Sequence, residues 1–306
     1  MTTTTNTTNH APSAAAAGTW QLGDRTVNRI GFGAMRLTGM PWDSAPRDRA
    51  DAIAVLRRAI ELGVNHIDTA AFYFLPTRSA NELISTALQP YPDDLVITTK
   101  VGPTRSDQGE FEPYARPDQL RGQVELNIRQ LGRDHIDIVN LRWGSGLDKE
   151  SGSVAEHIGA LADLREAGLI RHIGVSNITT DQLTEAMGIT PVVCVQNRYG
   201  LTERTDDELV TLTREHDIAF VPFFAVGGSP RGIPDETGQA EVAAVAEAHG
   251  ATPAQVRLAW TLHRGPHVLA IPGTGNPAHL DENIAAGALQ LSDDELARLD
   301  GIAPAG

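Results

Sequence analysis

The chain has 306 residues, 41% of them hydrophobic, and a formal net charge of −14. That acidity argues against a nucleic-acid partner, which needs a basic surface; an anionic ligand would need local cations that override the global field. One cysteine, Cys194, excludes an internal disulfide, and no apolar stretch approaches the ~18 residues of a membrane span.

Residues 1–18 are small and polar and lack the basic and leucine-rich segments of a secretory signal, so they read as a disordered tail of a cytoplasmic protein. Residues 19–306 read as one domain. TWQLGDRTVNRIGFG predicts a hairpin turning at Gly23-Asp24, then a first strand. Helix ADAIAVLRRAIELG has Ile53, Leu56 and Ile60 at helical spacing and stops at Gly63. Strand VNHIDTA, helix SANELISTALQ and strand DLVITTK follow. The next helix has Pro117 for its first turn and Gly132 for its cap, and leads to strand HIDIVNL.

The second half repeats the scheme. Helix SVAEHIGALADLREAG precedes strand IRHIGVSN, and a short helix from Thr180 precedes PVVCVQN. Helix TDDELVTLTREHD precedes IAFVPFF. After a Gly- and Pro-rich stretch come EVAAVAEAHG, TPAQVRLAWTLHR, strand HVLAIPG, helix PAHLDENIAAGAL and an added terminal helix, SDDELARLDGI. Most strands are continuous apolar runs, as in a parallel sheet buried on both faces. Strand-helix alternation without a linker predicts an α/β fold, a (β/α)8 TIM barrel with the hairpin under its bottom and its site at the strand C-termini. A doubly wound sheet would need a third glycine after Gly31-Phe32-Gly33.

Asp68, Lys100 and Arg142 close three successive strands, and Tyr73 follows Asp68 by five residues. A phenol is a weak acid with a pKa of about 10. A neighbouring ammonium lowers that value, and a carboxylate can hold the ammonium. The expected unit is therefore Tyr73 as proton donor, with its pKa depressed by Lys100 and Lys100 held by Asp68. Cys194, in an apolar run, reads as a buried hydrophobe, and His66 as a packed barrel histidine. The sequence offers no His/Cys cluster for a metal.

HIDTAAFY, TTK, GVSN, VQN, VPFFAVGG and IPGTGNPAHLDEN, in this order, resemble the aldo/keto reductase superfamily from about Trp20 to the C-terminus. The resemblance implies NADP(H), with NAD(H) as the lesser alternative, and hydride transfer to a small-molecule carbonyl. It implies that Ser176, Asn177 and Gln196 bind the nicotinamide carboxamide and that Phe223 stacks on the ring. It places Gly33, Ala34, Met35, Asp68, Gly273, Thr274, His279, Glu282 and Asn283 along the coenzyme. Gly273 and His279 stand where many members carry a lysine and an arginine for the adenosine 2′-phosphate.

Arg142 stands where the family has a histidine. Arginine is always charged and cannot act as a base, but it can polarise a carbonyl. With it, the motifs are similar to the bacterial pyridoxal reductase branch. Arg142 and Trp143 would then contact substrate, Arg142 binding both the aldehyde oxygen and the adjacent phenolate of pyridoxal. A structural ion pair for Arg142 and core packing for Trp143 stay open. So do another carbonyl substrate, such as a sugar or secondary-metabolite ketone, and a slow redox-sensing barrel. The sequence leaves the oligomeric state open.

Overall fold

The computed structural model describes residues 11–39, 47–106, 110–144, 146–226 and 238–302. Hairpin strands β1 (Thr19–Leu22) and β2 (Arg25–Asn28) pair with Leu22 opposite Arg25, which leaves Gly23-Asp24 as the turn. The chain continues through β3 (Phe32–Gly33), α1 (Arg49–Glu61), β4 (His66–Asp68), the small hairpin β5 (Phe74–Leu75) and β6 (Arg78–Ser79), and α2 (Ala80–Leu88). Next come β7 (Val96–Val101), a second small hairpin β8 (Thr104–Arg105) and β9 (Phe111–Glu112), α3 (Leu120–Leu131) and β10 (Ile136–Arg142). Then follow α4 (Ala155–Glu166), β11 (Ile170–Ser176), α5 (Thr180–Met187), β12 (Val192–Gln196), α6 (Asp207–Glu215) and β13 (Ala219–Phe220). The chain ends with α7 (Gln239–His249), α8 (Pro253–His263), α9 (Pro277–Ala285) and α10 (Asp293–Asp300).

Seven strands form one parallel sheet in the order β13-β12-β11-β10-β7-β4-β3. The eighth member, predicted as strand HVLAIPG, is only a pair of bridges, Val268 to Phe220 and Ala270 to Ile30. Leu269 N donates to Phe220 O at 2.9 Å and Gly31 N to Ala270 O at 2.8 Å, so this short segment closes the ring. Past these bridges Pro272 has no N–H to give to a ladder, and glycines let the two backbones come close: a Cβ on Gly33 would lie 2.5 Å from Ile271 O, and one on Gly273 would lie 2.4 Å from Gly33 O.

The predicted plug is present. Leu22 and Val27 pack with Val96, Ile138, Cys194, Ala219 and Leu269, apolar residues of the ring. Asp24 in the turn pairs with Arg171 and, at 2.7 Å, with His172 at the start of β11. The hairpin therefore lies across the strand N-termini, and the other end of the barrel is left for the site.

The expected disorder through residue 18 does not hold at its end. Ala14–Ala17 form a turn of 3-10 helix, Ala14 is fully buried, and its N–H donates to Leu62 O at 2.8 Å. Small side chains let this segment pack close beneath α1, where composition alone suggests a loose tail. Residues 1–10 lie outside the described residues. Among the described residues no helix is long and apolar enough to cross a membrane, and no trio of His, Cys, Asp or Glu could hold a metal.

Candidate active site

Sheet register sets the site. Gly33 pairs with Asp68, Asp68 with Thr98, Lys100 with Asn140, and Arg142 with Ser176, which pairs with Gln196. The strand C-termini thus deliver these side chains to one mouth. Lys100 Nζ donates to Asp68 Oδ1 at 2.5 Å and to Thr69 O at 3.1 Å, and lies 4.9 Å from the Tyr73 ring centroid. Gln196 Nε2 donates to Asp68 Oδ2 at 2.9 Å. A buried ion pair is tolerated only when its remaining donors and acceptors are met. Here Thr69 O and Gln196 meet them.

A polar network fixes the backbone behind this pair. Thr69 donates to Asn81 at 2.8 Å, Asn81 to Asn127 at 2.9 Å, and Thr99 to Asn127 at 2.6 Å. Thr69 and Thr99 are the chain neighbours of Asp68 and Lys100, and both asparagines are fully buried. Helix periodicity hides this network, since Asn81 and Asn127 occupy core positions of α2 and α3. A polar residue recurring on an apolar face was the available signal.

The electrostatics correct one expectation. Burial raises the Tyr73 pKa above its ordinary 10.0; Lys100 pulls it down and Asp68 pushes it up, and the net shift is upward. Sequence alone cannot weigh desolvation against a partner charge. The phenol is therefore protonated at neutral pH, the state a proton donor needs. Burial also works against the Lys100 ammonium, but Asp68 and Tyr73 outweigh it and leave its pKa raised. Lys100 stays charged. Burial pushes the Cys194 thiol up to about 12 and His66 down to about 4, in keeping with core roles for both.

Arg142 makes no ion pair among the described residues. Nη1 donates to Trp143 O at 2.9 Å and Nη2 to Gly146 O at 2.6 Å. Its guanidinium lies 5.8 Å from the Phe223 ring centroid, and its charge acts on the Tyr73 phenol. Arginine has five N–H donors, so two backbone bonds do not exhaust it. Tyr114 OH donates to Arg142 O at 2.8 Å. The Trp143 indole donates to Glu150 O at 3.0 Å, meets Tyr114 and His157 edge-on, and packs against the core.

The residues suit a nicotinamide carboxamide. Ser176 Oγ and Gln196 Oε1 are buried and lack a hydrogen-bond partner among the described residues. Such orphans cost about 1–3 kcal/mol each. A hydroxyl and an amide oxygen side by side match the acceptor and donor of a carboxamide. Asn177 takes a left-handed φ of 59°, but its Nδ2 donates to Trp143 O and Asp148 O, holding a loop.

The remaining expected coenzyme residues lie at the end of β3 and just after it, and in the segment from Gly273 into α9. Gly33 and Gly273 serve each other's close approach. Ala34 is fully buried, whereas Met35 is half-exposed at the strand end. Thr274 Oγ1 accepts from Asn276 N at 3.0 Å. His279, Glu282 and Asn283 share one face of α9, with His279 exposed.

Arg105 had no assigned role in the sequence. Its Nη1 donates to Phe72 O at 2.7 Å and Phe74 O at 3.1 Å, the carbonyls on either side of Tyr73, and its guanidinium stacks 4.6 Å from the Phe74 ring centroid. The register cannot reveal such a contact, because it joins two loops.

The aldo/keto reductase family profile matches residues 29–304. The chain belongs to the aldo/keto reductase family. It is 45% identical to pyridoxine 4-dehydrogenase of Escherichia coli (strain K12) over 289 residues, 94% of this chain and 99% of that one. It is 32% identical to probable aldo-keto reductase 1 of Glycine max, covering 92% of this chain and 86% of the relative. An aldo-keto reductase from Klebsiella pneumoniae, solved in complex with NADPH, superposes with a TM-score of 0.74 at 29% identity, covering 92% of this chain and 93% of that one.

Proposed function

We propose that this aldo/keto reductase reduces pyridoxal to pyridoxine with NADPH. The observation that carries the reading is Arg142: a half-buried cation whose charge acts on Tyr73, at the mouth of a reductase 45% identical to a pyridoxine 4-dehydrogenase. The coenzyme is NADP(H), held at its carboxamide by Ser176 and Gln196, with Phe223 as the ring's platform. When bound, it supplies a hydride to the carbonyl carbon.

The chain's own residues do the rest. Tyr73 donates its proton to the carbonyl oxygen, which becomes the alcohol hydroxyl. Lys100 lowers the cost of the phenolate that remains, and Asp68 keeps Lys100 charged and in place. Arg142 directs its free N–H donors at the aldehyde oxygen and at the ionised 3-hydroxyl beside it. A neutral imidazole offers one donor and no charge, so it favours this substrate less.

NADPH consumption against a carbonyl panel tests the reading, with pyridoxal, benzaldehyde and a sugar aldehyde as substrates and NADH as control. Pyridoxal should give the highest kcat/KM. Arg142→His should lose more activity on pyridoxal than on benzaldehyde. An equal loss on both would remove the phenolate argument, and a sugar or other ketone turned over faster than pyridoxal would reassign the substrate.

A further inference from the structure

We infer that Arg47, in the loop before α1, selects NADPH over NADH by pairing with the adenosine 2′-phosphate. The inference rests on NADP(H) being the coenzyme. Four observations converge on one place, the loop that follows the eighth barrel segment.

First, the Arg47 side chain lies flat across Gly275. A Cβ added there would sit 2.4 Å from Arg47 Cδ, 2.7 Å from Nε and 3.1 Å from Cζ. Glycine is what lets the guanidinium approach this backbone. Second, Arg47 Nε is buried and has no hydrogen-bond partner among the described residues, and no described carboxylate pairs with Arg47. A cationic donor left unmet is costly, so an arginine held in this state calls for an anion.

Third, α9 begins two residues after Gly275, with Asn276 as its cap and Pro277 at its first position. A helix of this length presents a positive dipole end to the same space. In (β/α)8 barrels, phosphates are commonly bound by the last two strand-to-helix loops and a helix N-terminus. Fourth, residues 273–283 contain no Lys or Arg, and their one basic residue, His279, sits among Asp281 and Glu282. A phosphate bound here needs a cation from another segment; among the described residues Arg58 also reaches α9 but is paired with Asp281, whereas Arg47 has no carboxylate partner.

The loop base is anchored. Arg47 N donates to Thr38 O at 3.4 Å, and the next residue, Asp48, caps α1. Arg47 is therefore presented from a fixed point. NADPH and NADH differ only in the 2′-phosphate, so a residue that reads this group acts on one coenzyme and leaves the other alone.

The test measures NADPH and NADH dissociation constants on the full chain, by quenching of intrinsic tryptophan fluorescence. Wild type, Arg47→Gln, Arg47→Lys, Gly275→Ala and His279→Gln are compared. Losing a charged hydrogen bond should weaken NADPH binding about ten- to a hundredfold in Arg47→Gln, with NADH unchanged. Arg47→Lys should fall between. Gly275→Ala, whose methyl displaces the guanidinium, should reproduce the selective loss. Equal weakening of both coenzymes, no change in Arg47→Gln, or a selective loss confined to His279→Gln would overturn the assignment. A wild-type protein that binds neither coenzyme would instead sink the NADP(H) reading on which it rests.

Discussion

Gln196 Nε2 donates to Asp68 Oδ2 across 2.9 Å, which joins two strand ends that are not sheet neighbours. One amide thereby does two things. It satisfies the second oxygen of a buried carboxylate, and among the described residues it leaves its own buried oxygen without a partner, the acceptor proposed above for the carboxamide. Gln196→Leu should weaken NADPH and NADH binding alike, by about three- to tenfold, because the carboxamide is common to both. Thermal stability should fall as well, since Asp68 loses a donor. Fluorescence titration and a melting curve check the two parts, and an effect on NADPH alone would argue against the carboxamide role.

Arg105 should matter for turnover more than for coenzyme binding. It grips the carbonyls flanking Tyr73, so Arg105→Ala frees the segment that aims the phenol. A small misplacement of a reacting group can cost up to about a hundredfold. We expect kcat to fall about ten- to a hundredfold with the NADPH dissociation constant unchanged. Arg105→Lys should recover little, because an ammonium lacks the fork that spans two carbonyls and stacks on Phe74. Full activity in Arg105→Ala would show that Tyr73 needs no such hold.

Tyr73→Phe should lower kcat about 10²- to 10⁴-fold while leaving coenzyme binding intact. The pH profile is more specific. Burial, the largest influence, raises the Tyr73 pKa, so the proton is present throughout the neutral range and is lost only above the ordinary value of 10.0. Carbonyl reduction should be flat through neutrality and decline only in strong alkali. Lys100 pulls this pKa down, so Lys100→Met should move the alkaline limb upward. A limb below pH 9 in the wild type would contradict the assignment of Tyr73 as the titrating donor.

His66 predicts an acid weakness of the fold. Burial lowers its pKa from 6.5 to about 4, and the ring fits so closely under Gly31 that a Cβ there would lie 2.3 Å from it. Below pH 6.5 the unfolded chain takes up a proton that the folded chain refuses. Stability is therefore complete above 6.5 and is lost as pH falls toward 4, by about 3 kcal/mol in all. In His66→Gln the unfolding free energy should slope less steeply between these limits. An unchanged slope in denaturant titrations would remove His66 as its source.

Continuous apolar runs and period-3.6 patterns made the barrel legible, because its strands are buried on both faces and most helices carry a cap or stop residue. The Asp68, Tyr73 and Lys100 unit was legible for the same reason: strand ends converge in a barrel whatever the loops do. Three features were not. The eighth strand reads as regular in HVLAIPG, yet the structure keeps only two bridges, and Pro272 cannot donate to a ladder beyond them. The direction of the Tyr73 shift depends on desolvation, a property of the whole mouth. Arg47 and Arg105 make loop-to-loop contacts, which have no period in sequence.

The meeting of Gly33 with Gly273 also bears on how the molecule is made. Until Val268–Ala270 has left the ribosome, β13 and β3 are open edges with unpaired backbone groups, as prone to self-association as any exposed strand. Every strand from β3 to β13 must be synthesised before the ring can shut. A nonsense mutation just upstream of residue 268 would therefore produce a sticky open sheet and not a smaller reductase.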